Sequence, residues 1–130
     1  MPLDSNQQLT DEQQMLSDMV SKYLSATYDF ESRRKIANGQ LSVATPHWKK
    51  FADMGWLALP FNESEGGFNG GPKDISILFE AFGQHLVLEP YLETIILAGG
   101  ALAIAPEDVR HQYLPAIIAG DCQCAFAHIE

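Results

Sequence analysis

The sequence predicts an all-α fold of about five helices, followed at its C-terminal end by the first strand of a β domain missing from these residues. Three observations carry this expectation. Apolar residues return every three or four positions through most of the chain, the spacing that gathers side chains on one helical face. Prolines and glycines fall where helices would start and stop. Only residues 122–130 alternate with a period of two, the signature of a strand.

Thr10-Asp11-Glu12-Gln13 reads as a capping box, in which Thr10 caps the helix while Gln13 reaches back. Leu16, Met19, Val20, Tyr23 and Leu24 then form one face, and the pattern fades by Tyr28. Asn38-Gly39 marks a connection. Thr45-Pro46 supplies a cap and a proline for the first helical position. The short helix it starts presents Trp48, Phe51 and Ala52 and stops at Gly55.

The apolar run from Trp56 ends at Pro60, and residues 62–71 make a polar, glycine-rich loop. Pro72 opens the helix with the cleanest pattern: Ile75, Leu78, Phe79, Phe82, Gly83 and Leu86. Glu89-Pro90 begins the next. There Leu92, Ile95, Ile96, Gly99 and Ala103 form a stripe, while Leu97, Leu102 and Ile104 fill the other faces. A helix apolar all round is a buried one, so this should be the most buried element. Gly99-Gly100 inside it costs about 1 kcal/mol per glycine relative to alanine. Close approach of a neighbouring helix explains that cost, as does room for a ligand. Pro106 starts the last helix, with Val109, Tyr113 and Leu114 inward. Pro115 breaks or kinks it, and Ile117-Ile118 run on to a stop at Gly120.

In residues 122–130, Cys122, Cys124, Phe126 and His128 alternate with Gln123, Ala125, Ala127 and Ile129. A lone strand after helices leaves its backbone donors and acceptors without partners. The expected organisation is therefore a helical domain over residues 1–120, with residues 121–130 the truncated start of a following β domain.

Net charge is −9, and residues 66–130 hold eight acids against two bases. Such a surface repels a nucleic-acid backbone and an anionic bilayer, so neither is an expected partner. No apolar stretch reaches the ~18 residues a membrane-spanning helix needs. The first residues lack a basic stretch leading into an apolar run, so no signal peptide is expected. Cys122 and Cys124, one residue apart on an extended chain, sit too far apart for an easy disulfide. That fits a reducing compartment, and a cytoplasmic location is expected.

Motifs for chemistry are sparse. Residues 66–73 are a near miss for a phosphate-binding loop, because proline stands where lysine is required. Their glycines read instead as suppliers of positive φ in a tight turn. The four histidines fall at no metal-ligand spacing, and no Gly-x-Ser-x-Gly occurs. His85 and Glu89 read as an i, i+4 surface pair. Glu80 and Glu93 stand as isolated, solvated carboxylates.

Several segments occur in a telling order. Trp48 and Phe51-Ala52-Asp53-Met54-Gly55 precede Leu59-Pro60 and Glu63-Ser64-Glu65-Gly66-Gly67. Next come Glu80-Ala81-Phe82-Gly83-Gln84, then Tyr113-Leu114-Pro115 ahead of Gly120, and finally Ala125-Phe126-Ala127-His128-Ile129-Glu130. From Thr45 onward this order resembles the N-terminal helical domain of acyl-CoA dehydrogenases; the first helix matches only in type.

The resemblance implies N-terminal helices, a middle β domain and a C-terminal four-helix bundle, with FAD between the last two. It implies an oxidoreductase of fatty acid metabolism that α,β-dehydrogenates an acyl-CoA thioester. A carboxylate base removes the α proton while the β hydride passes to the flavin. That base belongs to the C-terminal domain, so no catalytic residue is expected here, and residues 1–130 alone should be inactive and free of FAD. By the same resemblance Phe126, Ala127, His128 and Ile129 would contact FAD, and Leu92, Ile95 and Ile96 would line the acyl pocket. The implied partners are acyl-CoA, an electron-transferring protein, and further subunits in a homo- or hetero-oligomer.

One departure stands out. His128-Ile129 occupies the place of the family's Leu-Thr, and isoleucine can offer a flavin only its backbone groups. Either FAD is bound differently, or the chain is a degenerate subunit of a heteromeric dehydrogenase. Leu88-Glu89-Pro90-Tyr91-Leu92 is similar to small subunits acting on dicarboxylic or steroid side-chain thioesters. A non-catalytic helical interaction module derived from the family is the remaining alternative.

Overall fold

The structure is a computed structural model that describes residues 8–127 and 129. Its helices, in chain order, are α1 (Asp11–Thr27), α2 (Phe30–Ala37), α3 (Leu41–Asp53), α4 (Pro72–His85), α5 (Gly99–Ala103) and α6 (Glu107–Ile118). A 3-10 turn, Glu63–Glu65, lies between α3 and α4, and a π-helical segment, Leu92–Ala98, runs directly into α5. The described residues contain no strand, so the chain is all-α.

Local chemistry sets most of the ends as expected. The Gln13 amide donates to Thr10 Oγ1 while the Thr10 amide donates to Gln13 Oε1, each at 3.2 Å, completing the capping box. Pro72 is the first residue of α4, and Gly55 and Gly120 take φ of +78° and +72° just past α3 and α6. Both lie in the left-handed region that closes helices.

Other expectations fail for reasons of packing. Helix α3 begins at Leu41, not at Pro46, which sits inside it. Proline there forfeits one backbone bond, but the helix seats Trp48 and Phe51 in the core. Helix α2 was not expected. It is capped by Asp29, whose Oδ1 accepts the Ser32 amide at 2.7 Å, yet it buries no residue and so shows no apolar stripe. Helix α4 turns Ile77, Leu78, Ala81 and Phe82 inward, whereas Gly83 and Leu86 are exposed. Leu86 ends α4 at φ +51° and has left the helical face.

The stretch through the π segment and α5 is buried along one side and not all round. Tyr91, Thr94, Ile95, Ala98 and Gly99 are buried, Ile96 is half-buried, and Leu92 and Ile104 are 45% and 88% exposed. Apolar residues face two ways here, but these residues supply a neighbour on only one side. In α6, Tyr113 likewise points outward, and Leu114 and Ile117 fill the core.

The glycine-rich loop backs onto residues 59–61 rather than cradling an anion. The Asn69 and Gly70 amides donate to the Phe61 and Leu59 carbonyls at 2.8 and 2.7 Å. A Cβ on Gly67 would lie 2.0 Å from the Phe61 oxygen. Only Gly66 in this loop uses positive φ for a glycine's reason; Asn69 takes the other left-handed position.

Aromatic rings make the centre of the core. Phe51 from α3 stacks on Phe82 from α4 at 5.4 Å and 13°, and Tyr91 meets Phe82 edge-on at 5.4 Å. The Tyr91 hydroxyl donates to the Trp56 carbonyl at 2.8 Å, so the ring at the entry to the π segment is held at both ends. On the periphery, Gln13 Nε2 donates to Asp74 Oδ1 at 3.0 Å, tying α1 to α4. Arg110 Nε pairs with Glu65 Oε1 at 3.1 Å, tying α6 to the 3-10 turn.

Candidate functional site

A π segment inserts an extra residue in a helical turn and re-aims the side chains around it. In Leu92–Ala98 this leaves Thr94 fully buried and facing the segment that follows α6. Thr94 Oγ1 donates to the Cys124 carbonyl at 2.9 Å and accepts the Cys124 amide at 3.2 Å. The Cys122 amide donates to the Ala116 carbonyl at 3.2 Å. Residues 122–127 therefore run extended along the bundle without joining a ladder. At Cys124 the backbone is not orphaned as the sequence pattern predicts, because one buried hydroxyl satisfies both of its groups.

The residues expected at the site fall on either side of this contact. Leu92 is exposed, Ile96 half-buried and Ile95 in the core at 1% exposure, so Ile95 supports the surface from beneath rather than lining it. Phe126, Ala127 and Ile129 are all exposed, Ile129 at 82%. His128 lies outside the described residues. The two expected groups are linked through Thr94 and Cys124, which neither contained. Thr94 is the one small hydroxyl in a helical stretch that is apolar apart from the exposed Glu93, and that was the available signal.

Phe126, Ala127 and Ile129 provide a ring, small apolar surface and backbone amides, with no side-chain hydroxyl among them. Such a set suits one edge of a planar ring system contacted through backbone groups. It is too open to enclose a cofactor. Among the described residues, no group of three or more His, Cys, Asp or Glu could hold a metal ion. Cys122 and Cys124 are free thiols with their sulfurs 3.9 Å apart, and burial pushes the Cys124 thiol above its ordinary value.

A second constellation was missed in the sequence. The Tyr28 hydroxyl donates to Glu89 Oε2 at 2.8 Å and accepts the Leu88 amide at 2.9 Å. Beside it, the Tyr23 hydroxyl and His47 Nδ1 share a hydrogen bond of 2.8 Å, and the Tyr28 and His47 rings lie 5.0 Å apart. Glu89 is only 8% exposed, so its expected surface pairing with His85 does not form. The reason is local: α4 ends at His85 and Leu86 turns left-handed, so helical spacing does not reach Glu89. Burial raises the Glu89 pKa, against the Tyr28 hydrogen bond and the nearby His47, which lower it. Burial also raises those of Tyr23, Tyr28 and Tyr91.

No helix among the described residues is long and apolar enough to cross a membrane. Residues 10–121 match the profile of the family described as acyl-CoA dehydrogenase, N-terminal domain. The chain is 32% identical over 94 residues to a Mycobacterium tuberculosis protein named acyl-CoA dehydrogenase FadE27, covering 72% of this chain and 25% of that protein. Its fold is similar to a chain in the crystal structure of the ChsE4-ChsE5 complex from Mycobacterium tuberculosis, with a TM-score of 0.74 at 24% identity. That match covers 89% of this chain and 30% of the solved one. The chain thus spans about a quarter of the curated relative's length.

Proposed function

Given that the chain belongs to the acyl-CoA dehydrogenase family through its N-terminal domain, we propose that it is the N-terminal part of an FAD-dependent acyl-CoA dehydrogenase. On this reading residues 1–120 are the helical domain, and residues 121–130 lead into a β domain. The carrying observation is the Thr94–Cys124 contact, which fixes an extended segment bearing Phe126 and Ile129 against the half-exposed helix bearing Leu92 and Ile96. Leu92 and Ile96 supply apolar wall for an acyl chain, and Ile95 holds that wall from behind. The backbone of residues 126–129 meets one edge of the flavin. A bound FAD would supply the hydride acceptor for the substrate β carbon.

The base and most flavin contacts belong to domains beyond this helical one, so the helical domain shapes the pocket and excludes water without moving a proton. Electrons leave through an electron-transferring protein, and the subunits assemble as a homo- or hetero-oligomer in the cytoplasm. Ile129, which offers no hydroxyl, supports a second reading: this chain is the flavin-poor member of a heteromeric dehydrogenase.

The test is anaerobic titration of the polypeptide carrying this domain with acyl-CoA, alone and co-expressed with candidate partner subunits. Bound FAD whose visible band bleaches on adding acyl-CoA supports the first reading. Flavin that appears only with a partner chain supports the second. Flavin in neither preparation, or flavin indifferent to acyl-CoA, sinks both.

A further inference from the structure

Cys122 and Cys124 are free thiols on the segment that leaves α6, and their sulfurs lie 3.9 Å apart. Both are half-buried, so neither is sealed from small molecules. Among the described residues no His, Asp or Glu completes a metal site with them, which leaves the chemistry of a thiol pair. The sulfurs already meet, and what governs closing a bond between them is the backbone. Two residues of extended chain span roughly 6.4–6.8 Å, whereas a disulfide most often has its Cα atoms about 5.5–6 Å apart. Closing the bond therefore draws Cys122 and Cys124 together by roughly 1 Å.

The two ends of that span are held differently. Cys122 follows directly on the closure of α6, where Gly120 takes φ +72° and the Asp121 amide donates to the Ala116 carbonyl at 2.9 Å. The Cys122 amide donates to the same carbonyl at 3.2 Å, and the adjoining Ile117 is in the core. That end is part of the helix terminus and moves only with it. Cys124 hangs from one side chain, the Thr94 hydroxyl, which meets its carbonyl at 2.9 Å and its amide at 3.2 Å. Cys124 is thus the end that yields, and a disulfide pulls against the Thr94 contact. Burial, reinforced by the neighbouring Cys122, raises the Cys124 thiol pKa, so Cys122 is the sulfur that attacks first.

We propose that Cys122 and Cys124 are a reversible redox site, closed to a disulfide by small-molecule disulfides of the glutathione class and opposed by the Thr94 anchor. The Cys122 thiolate attacks one sulfur of the oxidant and expels one thiol, leaving a mixed disulfide on Cys122. The Cys124 thiolate then attacks the Cys122 sulfur, and the second thiol leaves. The protein dithiol gives up two electrons and two protons, and the oxidant is reduced to two thiols. Because linkage is reciprocal, oxidation loosens the Thr94 contact by the same factor by which that contact disfavours oxidation. The site is independent of the dehydrogenase reading.

The experiment equilibrates the polypeptide carrying this domain in anaerobic glutathione buffers, blocks the remaining thiols and measures the mass of the peptide that holds both cysteines. The expected product is an internal disulfide, two hydrogens lighter and unblocked, which excess reduced glutathione reverses. Thr94→Val removes the anchoring hydroxyl and should shift the equilibrium about tenfold toward the disulfide, or about 30 mV for this two-electron couple. Thr94→Ser keeps the hydroxyl and should leave the equilibrium in place. Hydrogen exchange on the unaltered protein gives a reading that needs no variant. The Cys124 amide should exchange about tenfold faster in the disulfide form, while the Asp121 amide at the helix end keeps its rate. Should Thr94→Val fail to fold, that exchange comparison decides alone. Any of four results would overturn the assignment: only mixed disulfides or linked chains, a disulfide whose Cys124 amide is as protected as before, a Thr94→Val equilibrium equal to that of the unaltered protein, or a Thr94→Ser shift as large as that of valine.

Discussion

Thr94 Oγ1 holds both backbone groups of Cys124, donating to its carbonyl at 2.9 Å and accepting its amide at 3.2 Å. The two residues lie thirty positions apart, and the contact anchors the extended segment to the helical bundle.

Thr94→Val keeps the shape and removes the hydroxyl. Each Cys124 backbone group left unmade costs about 1–3 kcal/mol where solvent does not reach it. Chemical denaturation should show that loss, and the Cys124 amide should exchange faster with solvent. Unchanged stability with a still-protected Cys124 amide would mean that another contact holds the segment.

The paired glycines should respond with opposite signs. A Cβ on Gly99 would lie 2.7 Å from Phe61 Cζ and 3.1 Å from the Thr94 carbonyl, whereas one on Gly100 meets nothing within 4 Å. Phe61 is itself buried and cannot swing aside. Gly99→Ala should therefore destabilise by about 1–3 kcal/mol. Gly100→Ala should stabilise by up to about 1 kcal/mol through helix propensity. Melting temperatures that move the same way for both would refute this division.

Ile95 and Ile96 differ in depth. Ile95→Ala should cost about 2–5 kcal/mol, as for fully buried aliphatic side chains. Ile96→Ala, from a half-buried site, should cost clearly less. Urea midpoints of the two variants give the comparison, and a reversed order would place Ile96 in the core.

Glu89 should make stability fall with rising pH. Its folded pKa is raised above the ordinary 4.5, so its neutral form favours the fold. That contribution is complete below the unfolded value and is lost as pH climbs through the folded one. Glu89→Gln keeps a neutral group of the same shape and escapes the loss. The stability of the Gln variant relative to the unaltered protein should therefore rise between about pH 4 and pH 7. Denaturation midpoints across that range are the measurement; a flat or falling difference would show that Glu89 is not ionised against a penalty.

What the sequence by itself determined is the chain's local grammar: helical periodicity, the Thr10 capping box, Pro72 opening α4, and Gly55 and Gly120 closing α3 and α6. Each depends on residues within a turn of one another, so the information is contiguous. The ordered run of segments from Thr45 onward was equally legible, and the family profile over residues 10–121 bears out the family to which it points. Tertiary structure decided which faces are buried and which polar groups meet. Helix α2 stayed hidden because none of its residues is fully buried, and α3 starts ahead of Pro46, at Leu41, where no cap or apolar stripe announces it. Glu89 reads as a surface partner of His85 until Leu86 turns left-handed and delivers it to Tyr28, 61 residues away. Thr94 drew no attention in the sequence, and its role appears only where Cys124 uses its hydroxyl. Burial and hydrogen bonding depend on what distant chain supplies, and periodicity within one helix carries no record of that.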